Sequence, residues 1–161
     1  MRRLLFALCL VVLSCVAGAT AQALAQTHPQ EALVKQACLD YIEGFYEGDT
    51  VKVIRSLRPS LYKFGYWKSD KTGKYESDGQ MTFEQAVKYA SNVRAKQKFA
   101  KTDAPKKVEV LDILNHIASA KVTAWWGIDY LLLAKHDDAW MIEQVLWEGP
   151  LQKPTMVTEV K

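Results

Sequence analysis

Cysteine is scarce in this chain. Of three cysteines in 161 residues, Cys9 and Cys15 fall in the N-terminal apolar stretch. That leaves Cys38 as the only thiol in the remainder, so no intrachain disulfide can staple it and stability must come from a packed core. Histidine is equally sparse, and His28, His116 and His136 are scattered without the paired spacing or attendant cysteines of a zinc site. No Gly-rich phosphate loop and no G-x-S-x-G elbow occurs, which removes the usual signatures of nucleotide hydrolysis and of serine-hydrolase chemistry. Nor is there a stretch of about 20 apolar residues, the length a spanning helix needs. Charge is nearly balanced, with 21 basic against 18 acidic residues and a formal net charge of +3. The basic stretch from Arg94 to Lys107 has only Phe99 as an aromatic companion, which does not make a nucleic-acid surface.

What is present begins with MRRLLFALCLVVLSCVAGATAQALAQ. Arg2 and Arg3 precede an apolar run from Leu4 to Ala17, and small residues with A-x-A steps follow. This is the layout of a secretory signal peptide, so residues 1–25 are expected to be removed and 26–161 to form one exported domain, periplasmic or secreted. An alternative reads Leu13-Ser14-Cys15 as a lipoprotein cleavage box with Cys15 as the anchor. Loss of Arg2 and Arg3 lowers the formal charge by two, from +3 to +1, so the basic balance is no argument for a nucleic-acid partner.

Along the remaining chain, Val34, Cys38, Tyr41, Ile42 and Phe45 recur at helical spacing behind Pro29, predicting a helix with one buried face. Gly48 is placed to end it in a left-handed conformation, and Asp49 to cap a short second helix carrying Val51, Ile54 and Leu57, with Pro59 forcing the exit. Residues 61–67 form an aromatic, β-favouring run, and after the turn-rich SDKTG a weak return spans 74–77, a hairpin pattern. Thr82 and Gln85 make a capping box for a third helix whose stripe is Phe83, Ala86, Val87, Ala90 and Val93. The basic residues Arg94, Lys96, Lys98 and Lys101 at its end offset the negative pole of the helix dipole. From 106 to 147 the period becomes alternating, giving four strands at 107–115, 118–126, 130–136 and 140–147. A phase shift from Val108 and Val110 to Leu111 and Ile113 predicts a bulge. Cys38, on the buried helical stripe without a basic neighbour, reads as an inert core thiol.

Helix, short helix, hairpin, helix and long meander resemble the cone-shaped fold of the nuclear transport factor 2-like superfamily, also called cystatin-like. Gly48-Asp49, Arg58-Pro59 and the block Asp129-Tyr130-Leu131, Leu133, Lys135, Asp138, Trp140, Ile142 resemble the lumazine-binding family within it, over residues 30–148. The resemblance implies an α+β fold, with three N-terminal helices packed on a curved antiparallel sheet around a pocket. It also implies a ligand of pterin or flavin-precursor type. The chain departs from many relatives in having Arg58-Pro59 in place of His-Pro, and Asp138 in place of a turn glycine. The superfamily includes ketosteroid isomerases, whose chemistry needs a carboxylate base and a tyrosine with a protonated acid at the oxyanion. Tyr41 takes the tyrosine position, but the base position falls on Phe64 and the second acid within 131–133, so one part in three survives.

The expected function is binding of a small molecule in an aromatic pocket, with no cofactor and no metal. A general acid–base enzyme on a small cyclic substrate is the alternative, with Asp129 or Glu143 as base and Tyr41 as donor; a protein-interaction accessory domain is a third. Alternation and helical phase predict a pocket lined by Tyr41, Phe45, Phe64, Tyr66, Trp126, Glu143 and Trp147. Tyr41 is either a ligand donor or a core tyrosine with a satisfied hydroxyl. Glu143 either faces the pocket free or is tied to a neighbouring Lys, Arg or Tyr. Asp129 is expected at the rim, hydrated and of ordinary acidity, either contacting ligand or capping the Gly127 turn. On that reading Asp129→Asn costs less than ~1 kcal/mol of stability, as surface changes usually do. Two apolar sheet faces, only one of which the helices can cover, predict a homodimer through the outer face.

Overall fold

Local sequence signals build each helix in the computed structural model, which describes residues 28–77 and 79–149. The expected signal peptide and Cys15 lie outside the described residues. Helix α1 (Glu31–Glu47) buries Val34, Cys38, Tyr41, Ile42 and Phe45 and stops at Gly48, whose φ of 64° is left-handed. Asp49 then caps α2 (Thr50–Ser56) by accepting from the backbone N–H groups of Val51 and Lys52. The buried residues of α2 are Val53 and Ser56, whereas Val51 and Ile54 are exposed, a correction to the expected stripe. With only two turns, α2 is phased by its packing on α1, where a Cβ on Gly44 would collide with Val53. Asp40 of α1 pairs with both Nε and Nη2 of Arg55, tying the two helices together. Strand β1 (Leu57–Lys68) starts before Pro59 rather than after it, and its register is irregular between Leu57 and Tyr62, where the proline stands. It turns into β2 (Tyr75–Glu76), and Thr82 opens α3 (Phe83–Ala95) with the full capping box to Gln85. Arg94, in the last turn of α3, donates to the Gly48 carbonyl and so joins two helix ends.

The meander is β3 (Lys107–Ile113), β4 (Ile117–Ala124), β5 (Gly127–His136) and β6 (Ala139–Gly149). All described strands form one sheet in the order β2-β1-β6-β5-β4-β3, antiparallel except where β1 runs parallel beside β6. The expected bulge in β3 lies between Val110 and Asp112. The core fills the space between the helices and the inner sheet face, where Ala118, Ala120, Val122, Leu131, Leu133, Ile142 and Val145 meet the stripe of α1. None of the described helices is long and apolar enough to cross a membrane.

Candidate functional site

Where α1, β1, β6 and the β4–β5 turn converge, a cavity of about 540 Å³ opens, walled by Tyr41, Phe45, Lys63, Trp125, Trp126 and Trp147, with Tyr89 and Lys88 from α3 on its other side. That volume lies within the range of small-molecule sites. Register explains the walls. Gly65 of β1 sits opposite Trp147 of β6, which sits opposite Asp129 of β5. A side chain at Gly65 would run into the Trp147 ring and carbonyl, so glycine leaves that ring room to lie against the sheet. Trp126 is held by its neighbours: its ring meets those of Tyr41, Phe45 and Tyr46 edge-on, with centroids 6.1, 5.8 and 5.6 Å away. Tyr46 also accepts from the Trp125 backbone N–H at 2.8 Å and donates to the Pro105 carbonyl, which pins the turn to α1.

Behind this wall lies a buried polar cluster. The Tyr41 hydroxyl donates to Asp129 Oδ2 at 2.5 Å, the Trp126 indole N–H donates to Oδ1 at 2.8 Å, and Lys63 Nζ donates to the Tyr41 oxygen at 2.8 Å. Lys63 Nζ lies 3.6 Å from Asp129 Oδ2, an ion pair without a hydrogen bond. The ammonium also stands 5.5 Å from the Tyr41 ring centroid and 5.6 Å from that of Trp147, close enough for both ring faces to attract it. Burial, with Asp129 beside it, pushes the Tyr41 hydroxyl well above the ordinary tyrosine value. Burial lowers Lys63 below the ordinary lysine value, and Asp129 works against that shift.

Tyr41, Phe45, Trp126 and Trp147 therefore line the cavity as alternation and helical phase predict. Three expectations are corrected. Asp129 is not hydrated at the rim: it is 0 % exposed and lies outside the cavity lining. Because β5 begins at Gly127 rather than at Tyr130, Asp129 shares the inward phase of Leu131 and Leu133. Phe64 and Tyr66 lie on the opposite face of β1 from the cavity, since the inward series is Leu61, Lys63 and Gly65. Glu143 does not reach the cavity either. The β5–β6 register slips between Leu132 and Leu133, which pair with Gln144 and Ile142, so Glu143 is the extra residue of a bulge. The bulge separates Glu143 from the inward Val145 and Trp147, and its carboxylate is engaged by His136 at 2.6 Å and Arg58 at 3.5 Å. Of the two carboxylates considered as bases, one is thus elsewhere and the other already holds a donor on each oxygen.

Sequence reasoning missed Trp125, Lys88 and Tyr89 of the wall and, most consequentially, Lys63. In an aromatic strand its charge reads as the solvent side of the alternation. The contrary signal was the in-phase Gly65, a residue with no side chain to pack, flanked by the outward series Tyr62, Phe64 and Tyr66. Among the described residues no group of three His, Cys, Asp or Glu side chains could hold a metal ion. Cys38 is buried, which pushes its thiol up to about 12.

Comparison with known proteins agrees with this architecture. The model of the family described as Putative lumazine-binding matches residues 29–148. A nuclear transport factor 2-like protein of unknown function from Silicibacter pomeroyi has a similar structure at 16% identity, with a TM-score of 0.58 over 72% of this chain and 92% of that one. A counterpart from Methylobacillus flagellatus is similar at 15% identity and TM-score 0.55, over 76% and 94% of the two chains. A ketosteroid isomerase-like protein from Erwinia carotovora is similar at 14% identity and TM-score 0.52, over 76% and 99%. At these identities the likeness is one of fold. No curated protein matches the chain.

Proposed function

Because the chain belongs to the Putative lumazine-binding family and encloses an aromatic cavity, we propose that it is an exported small-molecule-binding protein. The carrying observation is the cavity of about 540 Å³ walled by Tyr41, Phe45, Trp125, Trp126 and Trp147. Tryptophan and tyrosine walls bury the faces of a planar ring while leaving its edge to a few polar groups. Here those groups are Lys63, Gln80, Gln85, Lys88 and Asn92. The family name supports a ring system of pterin or flavin-precursor type. Purified protein should release a heterocyclic aromatic on denaturation, identified by mass spectrometry. The reading fails if none is released and a panel of planar ring compounds leaves the tryptophan fluorescence unchanged.

Export rests on the N-terminal sequence and is tested by N-terminal sequencing of the periplasmic or secreted form, expected to begin between Gln22 and Gln26. The same reading includes a homodimer. Across β1, β6 and β5 the outer sheet face presents Tyr62, Tyr66, Leu146, Tyr130 and Leu132, each 44–53 % exposed. Single exposed apolar residues are ordinary, but a contiguous row of this kind marks an interaction surface. Light scattering at micromolar concentration should give twice the chain mass, and Leu132→Lys should give the monomer. A monomeric wild type removes this part of the reading and leaves ligand binding standing.

A further inference from the structure

We propose that the ligand of this cavity is a planar aromatic carboxylate, seated with its carboxylate on the Lys63 ammonium and its ring among Trp126, Trp147 and Phe45. The inference rests on the reading of the cavity as a ligand site and goes beyond it by assigning the ligand's charge.

Lys63 is only 7 % exposed, yet it forms part of the cavity wall. An ammonium carries three donors. Among the described residues a single acceptor lies within hydrogen-bond reach, the Tyr41 oxygen at 2.8 Å. Asp129, at 3.6 Å, balances the charge without taking a hydrogen bond from it. The two oxygens of Asp129 are taken by the Tyr41 hydroxyl and the Trp126 indole, and its carboxylate is not part of the lining. The cluster thus presents donors to the cavity and keeps its acceptors behind the wall. A buried charge with unspent donors favours an acceptor partner, most strongly an ionised one.

The rest of the described lining has the same sign. Lys88 adds a second positive charge from the exposed face of α3, and no Asp or Glu occurs among the described lining residues. Among the described lining residues a cationic ligand would meet two ammonium groups and no carboxylate. A neutral ring would gain the aromatic walls but offer the Lys63 donors only uncharged acceptors, which make weaker hydrogen bonds than a carboxylate. A carboxylate gains the walls and fills those donors.

The test uses three probes of one shape and different charge: 2-naphthoate, 2-naphthamide and 2-naphthylmethylammonium. Calorimetric titration of the full chain should show naphthoate binding at least tenfold more tightly than the amide, and the cation most weakly. Lys63→Met should abolish the tenfold preference, lowering naphthoate affinity far more than amide affinity, and Lys63→Arg should retain most of the preference; circular dichroism establishes that each variant is folded. In wild type, naphthoate affinity should fall as alkaline pH discharges Lys63, and fall by more than amide affinity, a result independent of any variant's folding. Burial lowers Lys63 from its ordinary value, so the fall should begin below the titration range of an exposed lysine. Equal affinities for naphthoate and amide, or a preference that survives in folded Lys63→Met or at high pH, overturn the charge assignment and leave the aromatic pocket standing. Absence of binding by all three probes at millimolar concentration overturns both.

Discussion

Tyr41 and Asp129 lie 88 residues apart in the chain and are joined by a 2.5 Å hydrogen bond, with neither residue exposed to solvent. The bond links the centre of α1 to the start of β5. It also makes the tyrosine oxygen available to accept from Lys63. Removing either partner leaves buried polar groups without their counterparts, and the consequences can be measured.

Asp129→Asn should destabilise the protein by about 3–5 kcal/mol, the cost of breaking a buried ion pair by removing one partner. Its amide cannot accept from both Tyr41 and Trp126 as the carboxylate does, and it leaves the Lys63 charge unbalanced. Urea unfolding with an unchanged m-value measures this. A loss below ~1 kcal/mol, the range of surface substitutions, would mean that the carboxylate is hydrated after all.

Tyr41→Phe should alter the alkaline limb of stability. The folded-state value of Tyr41 is raised well above 10, chiefly by burial. The folded state therefore keeps a proton that the unfolded chain releases above pH 10. The stability tied to that proton is fully present below pH 10 and is lost as pH rises toward the folded value. Above pH 10 the wild type should lose stability faster than Tyr41→Phe by ~1.4 kcal/mol per pH unit, the slope of one proton. Parallel curves from denaturant titrations at pH 9 to 11 would remove Tyr41 from the account.

Gly127→Ala should disturb the site from outside it. Gly127 has a φ of 140°, where L side chains are strained, and a Cβ there would collide with the Glu148 carbonyl of β6. This glycine closes the turn that aims Trp126 at Asp129. We expect a stability loss of at least ~1–3 kcal/mol, together with a shifted tryptophan emission in the fraction that folds. Wild-type stability and emission in the variant would show that the turn tolerates a side chain.

Cys38 should resist alkylation in the native protein. Its thiol, pushed up to about 12 by burial, has almost no thiolate at pH 8, and the thiolate is the reactive form. Peptide mapping after iodoacetamide treatment should find the Cys38 peptide unmodified in the native chain and fully modified in urea. Rapid native labelling would require an opening of α1 from the sheet.

Much of the fold was written in local patterns. Gly48, Asp49 and the Thr82–Gln85 box act within a few residues of themselves, and the α1 stripe follows from a 3.6-residue period, so their reading needs no partner strand. Tyr41, Phe45, Trp126 and Trp147 could be assigned to the cavity for the same reason: helical phase and strand alternation decide which way they point. Lys63, Asp129 and Glu143 could not be placed so. The inward face of β1 is selected by its pairing with β6, some eighty residues away, which sets Lys63 opposite the buried Val145. Strand β5 begins earlier than its apolar run because Gly127 pairs with Ala124, and this draws Asp129 inward. A one-residue bulge in β6 reverses the phase between Ile142 and Val145 and strands Glu143 away from the cavity. Alternation specifies a strand's two faces, but only the pairing partner, and any residue the ladder leaves out, decides which face is buried. The sequence by itself therefore determined the helices, the meander and four of the aromatic walls, while tertiary pairing alone decided the inward face of β1 and which charged groups meet inside the cone.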